Sequence, residues 1–140
     1  MYPMSDSFTL RLQAVTLDRL RTRAKRLGTP PRTLAQRYVD EGLRQDQHPL
    51  VHFVDGVSGR RAALVGSGLD VWEVIATVRD NNNDLEEAAQ YLGVSLGLVQ
   101  AAVAYYGEYR AEIDSEMADN DIAWKHGYEA VEAGRRALET

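Results

Sequence analysis

From Ser7 to Gln13 polar and apolar residues alternate, with Phe8, Leu10 and Leu12 on one side and Ser7, Thr9, Arg11 and Gln13 on the other. A period of two is that of a half-buried strand. From about Val15 the period lengthens, and Leu17, Leu20, Ala24 and Leu27 share one helical face while Arg19, Arg21, Arg23, Lys25 and Arg26 cover the rest. Thr16 is the expected N-cap, and Asp18 suits the first turn. Gly28 stops this helix, because glycine takes the positive φ of a helix C-terminus without strain. Thr29-Pro30-Pro31 then opens a second helix to about Leu43, since a first-turn N–H has no helical partner to lose. Its apolar positions are Leu34 or Ala35, Tyr38, Val39 and Leu43. No second strand follows the first in this stretch. A lone strand leaves a row of unsatisfied backbone groups, so a second copy of the chain is the simplest mate and a homodimer is expected.

The pattern then changes. Arg44 to Pro49 is polar, ends in proline and reads as a linker. Leu50 to Val54 reads as a strand, Asp55 to Gly59 as a turn and Arg60 to Val65 as the return strand of a hairpin. Gly66-Ser67-Gly68 ends it, and Asp70 starts a helix carrying Val71, Trp72, Val74, Ile75 and Val78. After the polar break Asn81–Asp84, Leu85–Leu92 is a short helix with Ala88, Ala89 and Leu92 inward. Gly93-Val94-Ser95 turns, and Ser95 caps a helix through Tyr105 or Tyr106 with Leu98, Val99, Ala102 and Val103 on its apolar side. Ala89, Gly93, Val94 and Ser95 together have the form of a helix-turn-helix core. Asp121 to Thr140 reads as a final helix with Trp124, Tyr128, Val131 and Leu138 on one face. The expected fold is therefore mainly α with short β. Its parts are an N-terminal module over 1–46, a hairpin plus helix-turn-helix domain over 49–120 and a C-terminal amphipathic helix over 121–140.

Strand, helix, glycine-containing turn and helix within the first part resemble the ribbon–helix–helix family of bacterial DNA-binding proteins, as in VapB-like antitoxins. The resemblance implies an antiparallel two-stranded ribbon across a dimer axis, seated in the major groove of operator DNA. It makes Ser7, Thr9 and Arg11 the side chains that reach base edges. An arginine there can bond guanine O6 and N7 bidentately. The family's second helix holds a phosphate at its N-terminus. Here Pro30 and Pro31 remove two donors, so Thr29, Arg32 and Thr33 inherit that contact. Residues from about 49 to 120 resemble a small bacterial domain family of undefined biochemical role. The resemblance rests on Asp55-Gly56, Gly59-Arg60-Arg61, Gly68-Leu69-Asp70-Val71-Trp72-Glu73, Tyr91-Leu92-Gly93 and Ala101 to Tyr106. Such domains occur in antitoxin-like proteins, often encoded beside PIN-like ribonuclease toxins, which implies a toxin as partner.

Charge sharpens this division. Residues 1–46 hold nine Lys/Arg against five Asp/Glu, and residues 47–140 hold seven against sixteen. A basic part on an acidic remainder is expected where only one part meets phosphate. The second helix-turn-helix fits DNA poorly: Ser95 to Tyr106 contains no Lys or Arg, and residues 47–120 carry four basic and twelve acidic side chains. Phosphate contacts supply most non-specific affinity, so this section reads as a scaffold or protein-binding module. In the C-terminal helix, Gly127 and Gly134 each weaken the helix by about 1 kcal/mol relative to alanine. Such a segment orders on a partner, or packs on its own domain or dimer mate. In the first case Trp124, Tyr128, Val131 and Leu138 lie in a groove of the toxin, and Arg135 or Arg136 reaches acidic carboxylates of a nuclease.

Other chemistry is sparse. The chain has no cysteine and three histidines, His48, His52 and His126. There is no disulfide, thiolate metal site or cysteine nucleophile to consider. His48 and His52 are separated by a proline and a strand, which excludes a shared helical face. Gly66-x-Gly68 lacks the third glycine of a dinucleotide fingerprint. The acids Glu86, Glu87, Glu112, Asp114, Glu116 and Asp119 are expected to be solvated, and the tyrosines 105, 106 and 109 to pack between helices. No catalytic residue, metal or cofactor is expected. With no signal peptide and no long apolar run, the reading is cytoplasmic with no membrane partner. The leading expectation is a dimeric antitoxin that binds a double-stranded operator and neutralises a PIN-like nuclease. The rivals are a stand-alone dimeric repressor with an acidic assembly domain, and an interaction module with no DNA role.

Overall fold

The computed structural model describes residues 6–56 and 59–140. Among them the elements run α1 (Ala14–Leu27), α2 (Pro31–Gln47), β1 (Val51–Gly56), β2 (Gly59–Leu64), α3 (Val71–Asp80), α4 (Leu85–Leu92), α5 (Leu96–Glu108) and α6 (Arg110–Leu138). The chain is mainly helical with one two-stranded antiparallel sheet. It forms two compact units, Met1–Gly42 and Leu43–Thr140.

In the first unit, residues 6–13 form neither helix nor strand and are exposed. This corrects the strand expected over Ser7–Gln13 for the single chain: a β-ladder needs a second strand, and there is none among the described residues of this unit. Helix α1 starts at Ala14, because Gln13 still has extended backbone (φ −59°, ψ 147°). Thr16 therefore lies inside the helix and is not its cap. Gly28 ends α1 in the left-handed region at φ 65°. The Thr29 N–H then donates to the Ala24 carbonyl at 3.0 Å, satisfying one of the helix's terminal acceptors. Pro31 is the first residue of α2. The helix does not stop at Leu43 but continues to Gln47, so the linker expected over Arg44–Pro49 is largely helical. No glycine or proline intervenes before Pro49, which cannot continue the helix itself and disfavours helical backbone at the residue preceding it, here His48. The buried apolar side chains of the first unit are Ala24 and Leu34.

In the second unit the hairpin pairs Val51 with Leu64, Phe53 with Ala62 and Asp55 with Arg60. Of the turn expected between them, Val57 and Ser58 lie outside the described residues. Asp70 forms a reciprocal capping box with Glu73 at the start of α3, which buries Val71, Val74, Ile75 and Val78. Asp84 caps α4 through the Glu87 N–H, and Gly93 ends it at φ 69°. Ser95 caps α5 through the Leu98 N–H at 3.2 Å. The chain bends by 118° between α4 and α5. Helix α5 continues past Tyr106 to Glu108, and α6 begins at Arg110 rather than Asp121. One core joins Val51, Ala62 and Leu64 of the hairpin to α3, to Ala88 and Ala89 of α4, to Val99, Ala102 and Tyr105 of α5 and to Ile113 of α6. Met117 is the last α6 residue packed against it. From Ala118 onward every residue of α6 is exposed except the half-buried Glu132. No single described helix is long and apolar enough to cross a membrane.

Candidate nucleic-acid interface and apolar partner surface

In the first unit, Ser7, Thr9 and Arg11 are exposed, as are the residues between them: Phe8 is 83% and Leu10 58% accessible. Phe8 and Leu10 thus keep the alternate spacing of a strand's apolar side, on a segment that is not a strand in the single chain. Behind them α1 carries Arg19, Arg21, Arg23, Lys25 and Arg26, all exposed. Arg32 and Thr33 are exposed in the first turn of α2, where backbone N–H groups have no helical acceptor. The Thr29 hydroxyl is turned back on the Leu27 carbonyl at 3.5 Å. Of the three residues expected to hold a phosphate, Arg32 and Thr33 thus share the start of one helix, and Thr29 lies just before it.

In the second unit, the stripe expected on the C-terminal helix is present and uncovered. Trp124 is 70%, Tyr128 56%, Val131 58% and Leu138 89% exposed. Packing of this stripe on its own domain, one of the two alternatives above, does not occur in the chain. Trp124 and Tyr128 stack on each other, with ring centroids 5.7 Å apart and planes 9° from parallel. Arg135 pairs with Glu132 at 3.8 Å, and Arg136 is exposed. The two rings are at i and i+4 along the helix, the spacing at which side chains of successive turns meet.

Of the acids expected to be solvated, Glu112 and Asp114 are partly exposed but engaged by side-chain partners, and Glu116 is half-buried. Glu112 accepts two hydrogen bonds from the Arg44 guanidinium, at 2.9 and 3.1 Å, and one from the Tyr105 hydroxyl at 2.9 Å. The Arg44 guanidinium also bonds the Tyr105 hydroxyl at 2.9 Å and lies over the Tyr109 ring, 4.0 Å from its centroid. Burial pushes the Tyr105 phenol up, and its bond to Glu112 adds to the rise. Burial opposes the charge on Arg44, but its bonds to Glu112 and Tyr105 outweigh that and raise its pKa. Nearer the surface, Arg79 bonds the Tyr106 hydroxyl, and both bond Asp114. The Tyr106 bond, with Arg79 and Arg110 nearby, holds the Asp114 carboxyl below its ordinary value. Glu116 is half-buried, with its Oε2 out of contact with solvent. Burial, then the neighbouring Glu112 and Asp70, pushes it up to about 7. It lines a cleft of about 350 Å³ with Arg60, Arg61, Asp70, Trp72 and Asp119. In that cleft Asp70 takes an ion pair from Arg61 at 3.0 Å and a hydrogen bond from the Trp72 indole at 3.0 Å.

Sequence reasoning missed this interior network because Arg44 is 61 residues from Tyr105 and 68 from Glu112. The available signal was the spacing of Tyr105 and Glu112, but the break at Tyr109 makes that spacing uninformative about a shared face. Tyr105 itself packs between helices, as expected, and is fully buried.

Comparison of the chain with protein-family models, with curated proteins and with solved structures gives no match.

Proposed function

We propose that the chain is a dimeric, operator-binding regulator of the antitoxin kind. Two copies pair through Ser7–Gln13, and Ser7, Thr9 and Arg11 of each read base edges in the major groove. Arg32 and Thr33 hold the flanking phosphate, with Thr29 beside them. The second unit holds the protein partner, a toxin of the PIN-like ribonuclease class, and the chain itself performs no catalysis. The observation that carries the reading is the uncovered run of Phe8, Leu10 and Leu12 in front of the exposed basic face of α1. Apolar side chains at alternate positions call for a strand partner, and the cations beside them favour phosphate at the same place.

The first test selects preferred duplexes from a random-sequence pool and measures affinity against salt. A selected duplex should bind with a steep inverse dependence on salt. Arg11→Ala should weaken the preferred duplex by about 1–3 kcal/mol and relax its sequence preference. Binding that is absent at low salt, or insensitive to both changes, would remove the DNA reading. Co-expression with the neighbouring gene tests the toxin: a stable complex that suppresses toxicity supports it. A specific observation also favours a stand-alone repressor with an acidic assembly domain, namely the uncovered stripe Trp124, Tyr128, Val131 and Leu138, which a second copy can cover as well as a toxin can.

A further inference from the structure

From Asn120 to Leu138 the exposed half of α6 spans about 27 Å. Its stripe has heptad order: Trp124, Val131 and Leu138 recur at every seventh position, and Gly127 and Gly134 recur between them. Beside the glycines lies a row of Ala123, Ala130 and Ala137. On the other flank lie Asp121, Tyr128 and Arg135. The glycines have no reason within the chain. Neither has positive φ, and a Cβ at either would meet nothing within 4 Å. Glycine disfavours helix, so two glycines facing open solvent on the apolar side call for a close neighbour from outside.

We infer that this face pairs with the same face of a second copy, as an antiparallel helix pair whose two-fold axis passes beside Glu129. In that register Trp124 of one copy lies level with Gly134 of the other, and Val131 with Gly127. Each bulky knob then meets a glycine hole. Along one flank Ala130 meets its own mate and Ala123 meets Ala137, which lets the helices approach closely. Along the other flank Asp121 of each copy faces Arg135 of the other, and the two Tyr128 rings meet at the axis. Charge and size both select this arrangement. A parallel pair would set glycine against glycine, leave voids between the large residues, and bring Glu116 of one copy towards Asp121 of the other. An antiparallel pair shifted by one heptad would draw in Met117 and Asp114. Met117 is already packed on the core, and Asp114 is already bonded to Arg79 and Tyr106. The pairing leaves Arg136 and Ile122 outward. In the antitoxin reading the toxin is then held off the stripe. The inference stands on α6 alone and does not rest on DNA binding.

The absence of native cysteine gives a direct test on the full chain. Ala130→Cys places a thiol at the two-fold, and Glu129→Cys places one on the outer face. Under mild oxidation the Ala130→Cys chain should become covalent dimer at least tenfold faster than the Glu129→Cys chain, because a disulfide needs close, facing Cβ atoms. Adding Gly127→Leu and Gly134→Leu should slow that cross-linking at least tenfold while helix content holds or rises, since leucine favours helix more than glycine. Asp121→Arg should slow it as well, and the further exchange Arg135→Asp should restore it. Equal rates at the two cysteine positions would overturn the inference, as would leucine variants that cross-link at the original rate. Unchanged duplex affinity in these variants leaves the DNA reading intact whichever way the cross-linking falls.

Discussion

The run Phe8–Leu10–Leu12 and the hairpin Val51–Leu64 carry strand-like patterns, but they end differently. In the hairpin each strand finds its mate a few residues away, and Val51, Ala62 and Leu64 are buried against α3 and α5. In the first unit the alternating run stays in water, and the unit buries only Ala24 and Leu34 among its described apolar residues. Each large apolar side chain taken out of water contributes about 1.5–3 kcal/mol. A core assembled from four helices and a hairpin offsets more of its chain entropy than Ala24 and Leu34 with the half-buried Leu17, Leu20, Leu27 and Ala35 around them. The difference teaches where self-sufficiency ends. The second unit closes its core within one chain, while the first leaves its alternating apolar run uncovered, which is what the proposed pairing with a second copy would bury.

The sharpest way to break this contrast is to truncate one residue in each unit. Ile113 is fully buried where α6 meets the core. Ile113→Ala should cost about 2–5 kcal/mol, read as a lower urea midpoint that does not vary with protein concentration. Leu12→Ala should leave that midpoint unchanged and raise the concentration at which the chain associates. A concentration-dependent loss from Ile113→Ala, or a large loss of monomer stability from Leu12→Ala, would collapse the distinction.

A smaller effect tests how the second unit holds its first turn of chain. Arg44→Ala removes two bonds to Glu112 and one to Tyr105. It leaves the carboxylate and a buried hydroxyl without their cation. Charge-assisted bonds of this kind contribute about 1.5–3 kcal/mol, so the variant should lose about 2 kcal/mol in the same urea experiment. Arg79→Ala removes the chemically similar triad with Tyr106 and Asp114, but at the surface, and should lose distinctly less. Equal losses would mean that burial is not what gives the Arg44 network its strength.

What could be read from the sequence was local, and what could not was set by distance. Gly28 and Gly93 as helix stops, and Asp70 and Ser95 as helix starts, depend on groups within four residues of each other, so residue type was sufficient. The C-terminal end of α2 and the start of α6 were misplaced because polar residues such as Gln45, Asp46, Asn120 and Asp121 weaken a helix without stopping it. The strand expected at Ser7–Gln13 was legible as a pattern only, and in the single chain those residues form no strand. The α6 stripe was legible as a face, yet periodicity does not say what covers a face. The partners of the α6 acids were not legible at all. Glu112, Asp114 and Glu116 look like an ordinary solvated run until Arg44, Tyr105, Tyr106 and Arg79 are placed beside them.

Glu116 supplies the smallest and most specific test, because its effect has a sign that depends on pH. Its carboxyl is flanked by Glu112 and Asp119 on its own helix, by Asp70 at the start of α3 and by Arg61 on β2. Burial and the two nearest acids outweigh Arg61 and raise its pKa from 4.5 to about 7 in the folded chain. Below pH 4.5 the group is protonated in both the folded and unfolded states and exerts no pull. Between pH 4.5 and 7 the unfolded chain releases the proton while the folded chain retains it. The folded state then binds more protons, so stability falls as pH rises. Above pH 7 both states are ionised, and the full cost of a charged Glu116 is present. Glu116→Gln removes that charge. Because the side chain is half exposed, solvent screening reduces the gain to about 1 kcal/mol. The variant should therefore melt like the native chain near pH 4.5 and a few degrees higher at pH 8. Its advantage should grow across the interval between those pH values. A constant difference at all pH values would mean that packing, not ionisation, separates the two. A variant less stable at pH 8 would mean that the carboxylate is held by partners stronger than Arg61.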